Sequence, residues 1–294
     1  MAYATLLSHV HKKRFSVKFF MLLGTLLLLL GTIIMIFPFI WMLSSSVTPA
    51  QEMFSWPPRW FSGKFDFSSY VIALKHVPFG TYIFNSLIHC IGVVIGQVFL
   101  SALAAYALAK LHPPFGKTLL ILFLAALMIP AESLLIPLYM LMKNFPHANL
   151  PHTNLISTYA GLILPTIVSA FNILILKSFF ERLPNTIIDA ARLDGCSEGR
   201  IFWKIILPLS SSILIVLGIF SFITTWNSFF WPLIVLNDPR MYTLMLGVHK
   251  MLEAAEPWNV VMAVVTLATI PTIFIYFWFQ KYIDRGVVFT GFQG

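Results

Sequence analysis

Six apolar runs, each long enough to cross a bilayer as a helix, constrain this chain more than any other feature. About twenty apolar residues cover the ~30 Å hydrocarbon core as an α-helix. The runs lie at roughly 19–43, 83–109, 118–142, 155–180, 207–236 and 258–282. In the first, Leu26 to Leu30 is unbroken leucine. Backbone N–H and C=O groups in lipid must pair within their own segment, so such runs fold as helices. The stretch from Ser44 to Gly80 is too interrupted by Pro and Ser to span. Charged residues make up only 10% of the chain, against about 25% in a soluble domain. The expected fold is an all-α membrane protein with six transmembrane helices.

The charges orient these helices, because cytoplasmic loops collect Lys and Arg. With the N-terminus inside, thirteen of the nineteen Lys and Arg and only five of the eleven acidic residues fall on the cytoplasmic side. The whole formal net charge of +8 then sits on that side. An even number of spans returns the C-terminus to the cytoplasm as well. The basic balance is thereby explained by topology, and nucleic acid is excluded as a partner. The start, His11-Lys12-Lys13-Arg14 followed by an apolar run, has the charge order of a signal peptide. Its apolar run of about 25 residues exceeds the 7–15 of a signal core, so a retained first helix is expected. The expected organisation is a basic cytoplasmic N-terminus at 1–18, a transmembrane domain at 19–283 and a cytoplasmic tail at 284–294. Cys90 falls in an apolar span and Cys196 in a charged loop, so no bridge is expected between them.

That charged loop, about 182–208, is the one polar interval between the fourth and fifth runs. Pro184-Asn185 reads as a helix start, with Asn185 as its cap. Ile187, Ile188, Ala191 and Leu193 give an apolar side, and small Ala190 and Ala191 let another surface approach. Gly195 suits a helix stop, where a left-handed residue is needed. Ile201-Phe202-Trp203 then leads through Ile205 and Leu207-Pro208 into the fifth run. The expected shape is a helix–turn–helix lying along the cytoplasmic face.

The spacing here is specific: an acidic residue and two alanines (Asp189-Ala190-Ala191), three residues, Gly195, nine residues, Ile205, one residue, Leu207-Pro208. It resembles the "EAA" loop of ABC importer permeases, with Asp189 where that family usually has Glu. Further segments resemble the carbohydrate-uptake, maltose-type branch: Asn85-Ser86-Leu87, Ala104 to Ala109, Met128-Ile129-Pro130, Ile136-Pro137-Leu138-Tyr139 and Trp226 to Leu233. The resemblance covers about 80–294. The tail, Thr290-Gly291-Phe292-Gln293-Gly294, lacks the Lys usual near the family's end.

The resemblance implies a type I ABC importer permease fold in a bacterial cytoplasmic membrane. It implies a homologous second permease, two copies of an ABC ATPase beneath, and an extracytoplasmic solute-binding protein. Asp189 and Asp194 are then expected to make polar contact with the ATPase or to brace the loop. Ala190, Ala191 and Gly195 would set its shape, and Leu207 and Pro208 would tie it to the fifth span. The substrate implied is a sugar or oligosaccharide, with glycerol phosphate or an acidic polysaccharide as the alternative.

The chain's own chemistry agrees with a passive role. The nearest approach to a phosphate loop, Gly116-Lys117-Thr118, has Leu111 where the earlier glycine belongs. No cofactor is expected on this chain; ATP and magnesium belong to the partner ATPase. A gradient-driven carrier usually places charges within the membrane. Here Glu132, at the outer end of the third span, is the one acidic candidate. Neutral donors, acceptors and flat rings suit a sugar pathway, and Asn85, Asn172, Trp226 and Asn227 are the candidates, with Trp231 as an alternative interfacial anchor. Gln97 reads as an interhelical hydrogen-bonding residue.

Overall fold

Continuous apolar sequence without internal caps makes long helices, and the computed structural model has them at both ends of the chain. It describes residues 15–55, 65–76, 78–147, 150–254 and 256–291. The basic cluster His11 to Arg14, Arg59, Lys64 and tail residues 292–294 lie outside the described residues.

The chain divides into two units, Met1–Ala73 with Glu256–Leu267, and Leu74–Ala255 with Ala268–Gly294. In the first, α1 (Phe15–Ser46) exposes Leu26 to Leu30 without exception. Its threonines return their hydroxyls to its own backbone, Thr25 to Met21 O and Thr32 to Leu28 O, each at 2.8 Å. A polar side chain in lipid is satisfied in this way without leaving the helix. The Asp66 carboxylate accepts from Ser68 N (2.8 Å) at the start of α2 (Ser68–His76). Ser46 Oγ and Tyr70 OH share a hydrogen bond of 2.7 Å, and Asn259 Nδ2 donates to Ser69 Oγ at 2.8 Å.

The second unit is organised around α3 (Phe79–Tyr106), which ends in a π-helical turn, Ala107–Leu111. It packs along α7 (Ala170–Glu181) and α11 (Ser211–Trp226). Short elements connect these: α4 (Gly116–Leu127), α5 (Leu135–Lys143), α6 (Tyr159–Ile163), α8 (Asn185–Leu193), α9 (Glu198–Ile201), α10 (Leu207–Leu209), α12 (Phe230–Val235) and α13 (Leu244–Glu253). The last helix, α14 (Trp258–Gly291), contains Pro271. Four of the described glycines are close-approach positions, and a Cβ on Gly92 or Gly96 would meet the Ile163 or Ile167 side chain. A Cβ on Gly247 would meet the Tyr82 ring, and one on Gly161 would meet the Leu155 carbonyl.

Among the described residues, three helical stretches are long and apolar enough to cross a membrane: Lys18–Ser46, Phe79–Leu111 and Trp258–Tyr282. The third, fourth and fifth runs, read from sequence as single spans, are instead broken. Gly116–Leu127 and Ala131–Lys143 meet at 100°, Tyr159–Thr166 and Ala170–Glu181 at 46°, and Glu198–Leu209 and Ser211–Trp226 at 78°. Proline accounts for much of this, since it withdraws a backbone donor and crowds the preceding turn. Pro130 stands at the first break, Pro165 in the 3₁₀ turn before the second, and Pro208 just before the third. The fold is mostly helical as expected, with one small exception. Phe145–His147 and Leu150–Thr153 pair as a small antiparallel hairpin, Phe145 opposite Thr153.

Candidate functional site

The polar loop folds as the expected helix–turn–helix, and the backbone shows why. After α8, Gly195 takes φ +76°, the left-handed region. Cys196 N donates to Ala191 O at 2.9 Å and Gly195 N to Arg192 O at 3.0 Å. These are the two bonds of a Schellman stop, which satisfies carbonyls that the helix end would leave bare. Two residues on, Ser197 Oγ accepts from Arg200 N (3.4 Å) and starts α9. The second arm widens into a π turn, Phe202–Ile206, before Leu207-Pro208 and the 78° bend into α11. Pro208 cannot donate a backbone bond, and local widening is one way a helix accommodates this.

One side of the loop is a core. Ile188 (2% exposed), Ala191, Ile201, Phe202 and Ile206 pack with Ala102, Ala105, Leu176, Phe180 and Leu217. Partly buried Ile205, Leu207 and Cys196 join its margin. The other side is open. It carries Asp189, Ala190, Asp194, Ile187 at 43% exposure and Leu193 at 90%. The sequence reading placed Ile187, Ile188, Ala191 and Leu193 on one apolar side. The helix instead splits them, two inward and two outward. Of the two alanines, Ala191 serves the protein's own core and only Ala190 lies open.

Charges brace the turn. Arg192 bridges the arms, with Nε donating to Glu198 Oε1 (2.7 Å) and Nη1 to Asp189 Oδ1 (3.2 Å). The Glu198 carboxylate holds the guanidinium above its ordinary value. Asn185 does not cap α8. Its Oδ1 accepts from Lys110 Nζ at 2.7 Å, and the same ammonium donates to Leu183 O at 2.8 Å. The Tyr106 hydroxyl donates to Glu198 Oε2. The sequence reading missed Tyr106, Lys110 and Glu198 as partners of the loop. The available signal was their setting: Tyr106 and Lys110 stand four apart, on one helical face, in a run of alanines.

The pathway candidates are not brought together. Asn85 is buried: Nδ2 donates to Arg240 O (2.9 Å) and Tyr242 O (3.0 Å), while Oδ1 accepts from Tyr159 OH (2.6 Å). Asn172 Nδ2 donates to Ser221 Oγ (3.1 Å) and Gln97 Oε1 (3.4 Å). Ser221 Oγ donates to Gln97 Oε1 (2.7 Å), and Gln97 Nε2 to Thr166 O (2.7 Å). This network joins α3, α7 and α11. Trp226 is 3% exposed, with Nε1 donating to Ala268 O, and Trp231 Nε1 donates to Leu162 O. Asn227 is exposed and bonded back to Ile223 O at 2.8 Å. Glu132 is exposed in the 3₁₀ turn Ala131–Leu134, within the 100° break. A cavity of about 590 Å³ beside α3, α11 and the second half of α14 is lined by Val94, Val98, Gly218, Phe222 and Ile275, among other apolar residues. It offers almost nothing for a hydroxyl-rich solute to bond. Among the described residues, no three of His, Cys, Asp and Glu gather into a metal-holding group.

Comparison with known proteins places this geometry in a family. The model of the binding-protein-dependent transport system inner membrane component matches residues 97–289, which include the whole loop. The sn-glycerol-3-phosphate transport system permease protein UgpE of Rhizobium meliloti is 31% identical over 279 residues, 92% of this chain and 96% of that protein. The UgpE of Yersinia enterocolitica is 33% identical over 214 residues, 72% of this chain and 73% of that protein. Among solved structures, a chain of a bacterial ABC transporter involved in the import of the acidic polysaccharide alginate superposes with a TM-score of 0.80. It covers 92% of this chain and 98% of that one at 22% identity, a likeness of fold. The chain belongs to the family of binding-protein-dependent transport system inner membrane components and is a permease subunit of an ABC importer.

Proposed function

We propose that this subunit forms half of the translocation pathway for a sugar-class, polyhydroxylated solute and takes its power from a separate ATPase through the loop at about 182–208. Residues 19–283 form the transmembrane domain, with six spans, three of them bent, and both termini in the cytoplasm of a bacterial cell. A second, homologous permease supplies the other half of the pathway. Two copies of the ATPase, which hold ATP and magnesium, dock beneath. A solute-binding protein delivers cargo from outside.

The observation that carries this reading is the loop's two-sidedness. Its inner face is welded to α3, α7 and α11 by apolar packing, while Asp189, Ala190, Leu193 and Asp194 stand open beside it. An exposed leucine among small and acidic residues on an otherwise braced surface suits a soluble partner's cleft. Displacing that surface would move the bundle to which it is fixed, which is what alternating access requires. The UgpE relatives make sn-glycerol 3-phosphate the first solute to try beside a neutral disaccharide.

The test is purification of the chain from its own membranes in mild detergent. A second permease and an ATPase are expected to accompany it, and Gly195→Asp is expected to release the ATPase. Asp tolerates the left-handed region better than most residues, so this change keeps the turn and adds charge to its open side. Purification of the chain alone, with uptake that stops when an ion gradient is collapsed, would overturn the proposal in favour of a carrier. Cysteine accessibility in the 1–18 and 284–294 segments from the cytoplasmic side tests the topology.

A further inference from the structure

The loop is tied to α3 by two polar attachments that chain connectivity does not supply. Along the chain, the loop joins α7 through Leu183-Pro184 and α11 through the bend at Ser210. Helix α3 lies more than seventy residues away in sequence, yet its last turns hold both arms. Lys110, 8% exposed, reaches the first arm through Asn185 Oδ1 and the end of α7 through Leu183 O. An ammonium at a helix C-terminus also meets the negative end of its dipole. Tyr106, 4% exposed, reaches the second arm through Glu198, which passes the contact back to the first arm through Arg192. Four residues apart, the two side chains share a face of α3. The same face carries Ala102, Ala105 and Ala109, small enough for the loop core to lie close. The Tyr106 ring meets Phe202 at 5.5 Å between centroids.

We infer that Tyr106 and Lys110 are positioning residues that lock the two arms to the end of α3, so that loop displacement is delivered to α3 directly. This rests on the reading that the loop receives the ATPase. Apolar packing alone holds the loop against the bundle but permits sliding. Two directional, charge-assisted bonds at separate points fix its orientation. Helix α3 is the right recipient because it contacts α7 and α11 along its length.

The test uses the purified complex, with Cys90→Ala and Cys196→Ala as background and paired spin labels at Leu103→Cys on α3 and on the loop. The loop label is carried by Arg200→Cys on α9, away from the docking residue Leu193; Leu103 and Arg200 are both exposed. Distances are measured without nucleotide and with ATP plus vanadate. In the otherwise unchanged chain, the distance should be the same in both states. In Tyr106→Phe/Lys110→Met it should shift when nucleotide is added, because the loop then moves without α3. Lys110→Arg, which keeps charge and donors, should abolish that shift when paired with native Tyr106. A role confined to filling space would be met by Met and Phe and give no nucleotide-dependent shift. A shift in the unchanged chain, or none in the double variant, overturns the inference. If the double variant does not accumulate, Tyr106→Phe alone, which removes one hydroxyl and keeps the ring on Phe202, is read by the same criterion. The composition of the complex before nucleotide is added separates the two ideas: absence of an ATPase defeats the docking reading and not the clamp.

Discussion

Replacing Gly195 isolates the backbone term in the loop, because nothing lies within 4 Å of the position a Cβ would occupy. Size is therefore free and φ is the whole cost. Holding an L-residue in the left-handed region costs roughly 1–2 kcal/mol, and Asn or Asp less than others. A β-branched residue is a true outlier there. Gly195→Ala should thus lower the closed-to-open ratio of the Schellman turn by about 5–30-fold, the range that one to two kcal/mol represents. Gly195→Asn should cost less and Gly195→Val more. The assay is hydrogen exchange of the Gly195 and Cys196 amides, whose bonds to Arg192 O and Ala191 O close the turn. Exchange should quicken in the order Gly, Asn, Ala, Val. Asn is larger than Ala, so steric crowding would instead place Asn after Ala. That reversed order, or equal exchange in Gly and Val, would refute the backbone argument.

Other outcomes follow from the packing. Gly247→Ala pushes a methyl into the Tyr82 ring, which has some freedom to yield, and overpacking of this kind costs about 1–3 kcal/mol. Gly161→Ala meets the Leu155 backbone carbonyl, which has none, so its thermal midpoint in detergent should fall further than that of Gly247→Ala. Asn172→Ala removes its two donated bonds but leaves Ser221 and Gln97 bonded to each other. At an average of ~0.6 kcal/mol per membrane hydrogen bond, the loss should be about 1 kcal/mol, read by the same thermal assay. Leu193→Glu, on a side chain 90% exposed, should leave that midpoint unchanged while releasing the ATPase on purification.

What could be read from the sequence divides along physical lines. Apolar length and the Gly195 stop are local properties, and local properties are written in local sequence. The long helices of the first, second and sixth runs and the helix–turn–helix accordingly emerge as expected. Breaks in the third, fourth and fifth runs were signalled by Pro130, Pro165 and Pro208, but proline states where a helix yields and not by how much. The sidedness of α8 was misread because both faces carry apolar residues. Only the neighbours decide that Ile188 faces inward and Leu193 outward. Asn185 shows the same limit. An Asn beside a Pro at a helix start fits a cap, and the buried Lys110 ammonium, seventy-five residues away, took its oxygen instead. Likewise, Asn85, Asn172 and Trp226 have the right chemistry for hydroxyl groups, yet in this fold their polar atoms are engaged by other parts of the bundle.

The central claim, that the open face of the loop meets the ATPase, is tested most directly by a cysteine scan across α8 with cross-linking in native membranes. In a background lacking Cys90 and Cys196, cysteines at Ile187, Ala190 and Leu193 should cross-link to the ATPase. Those at Ile188 and Ala191, turned into the core, should not. Cross-linking from the inward positions, or none from Leu193, would contradict the account.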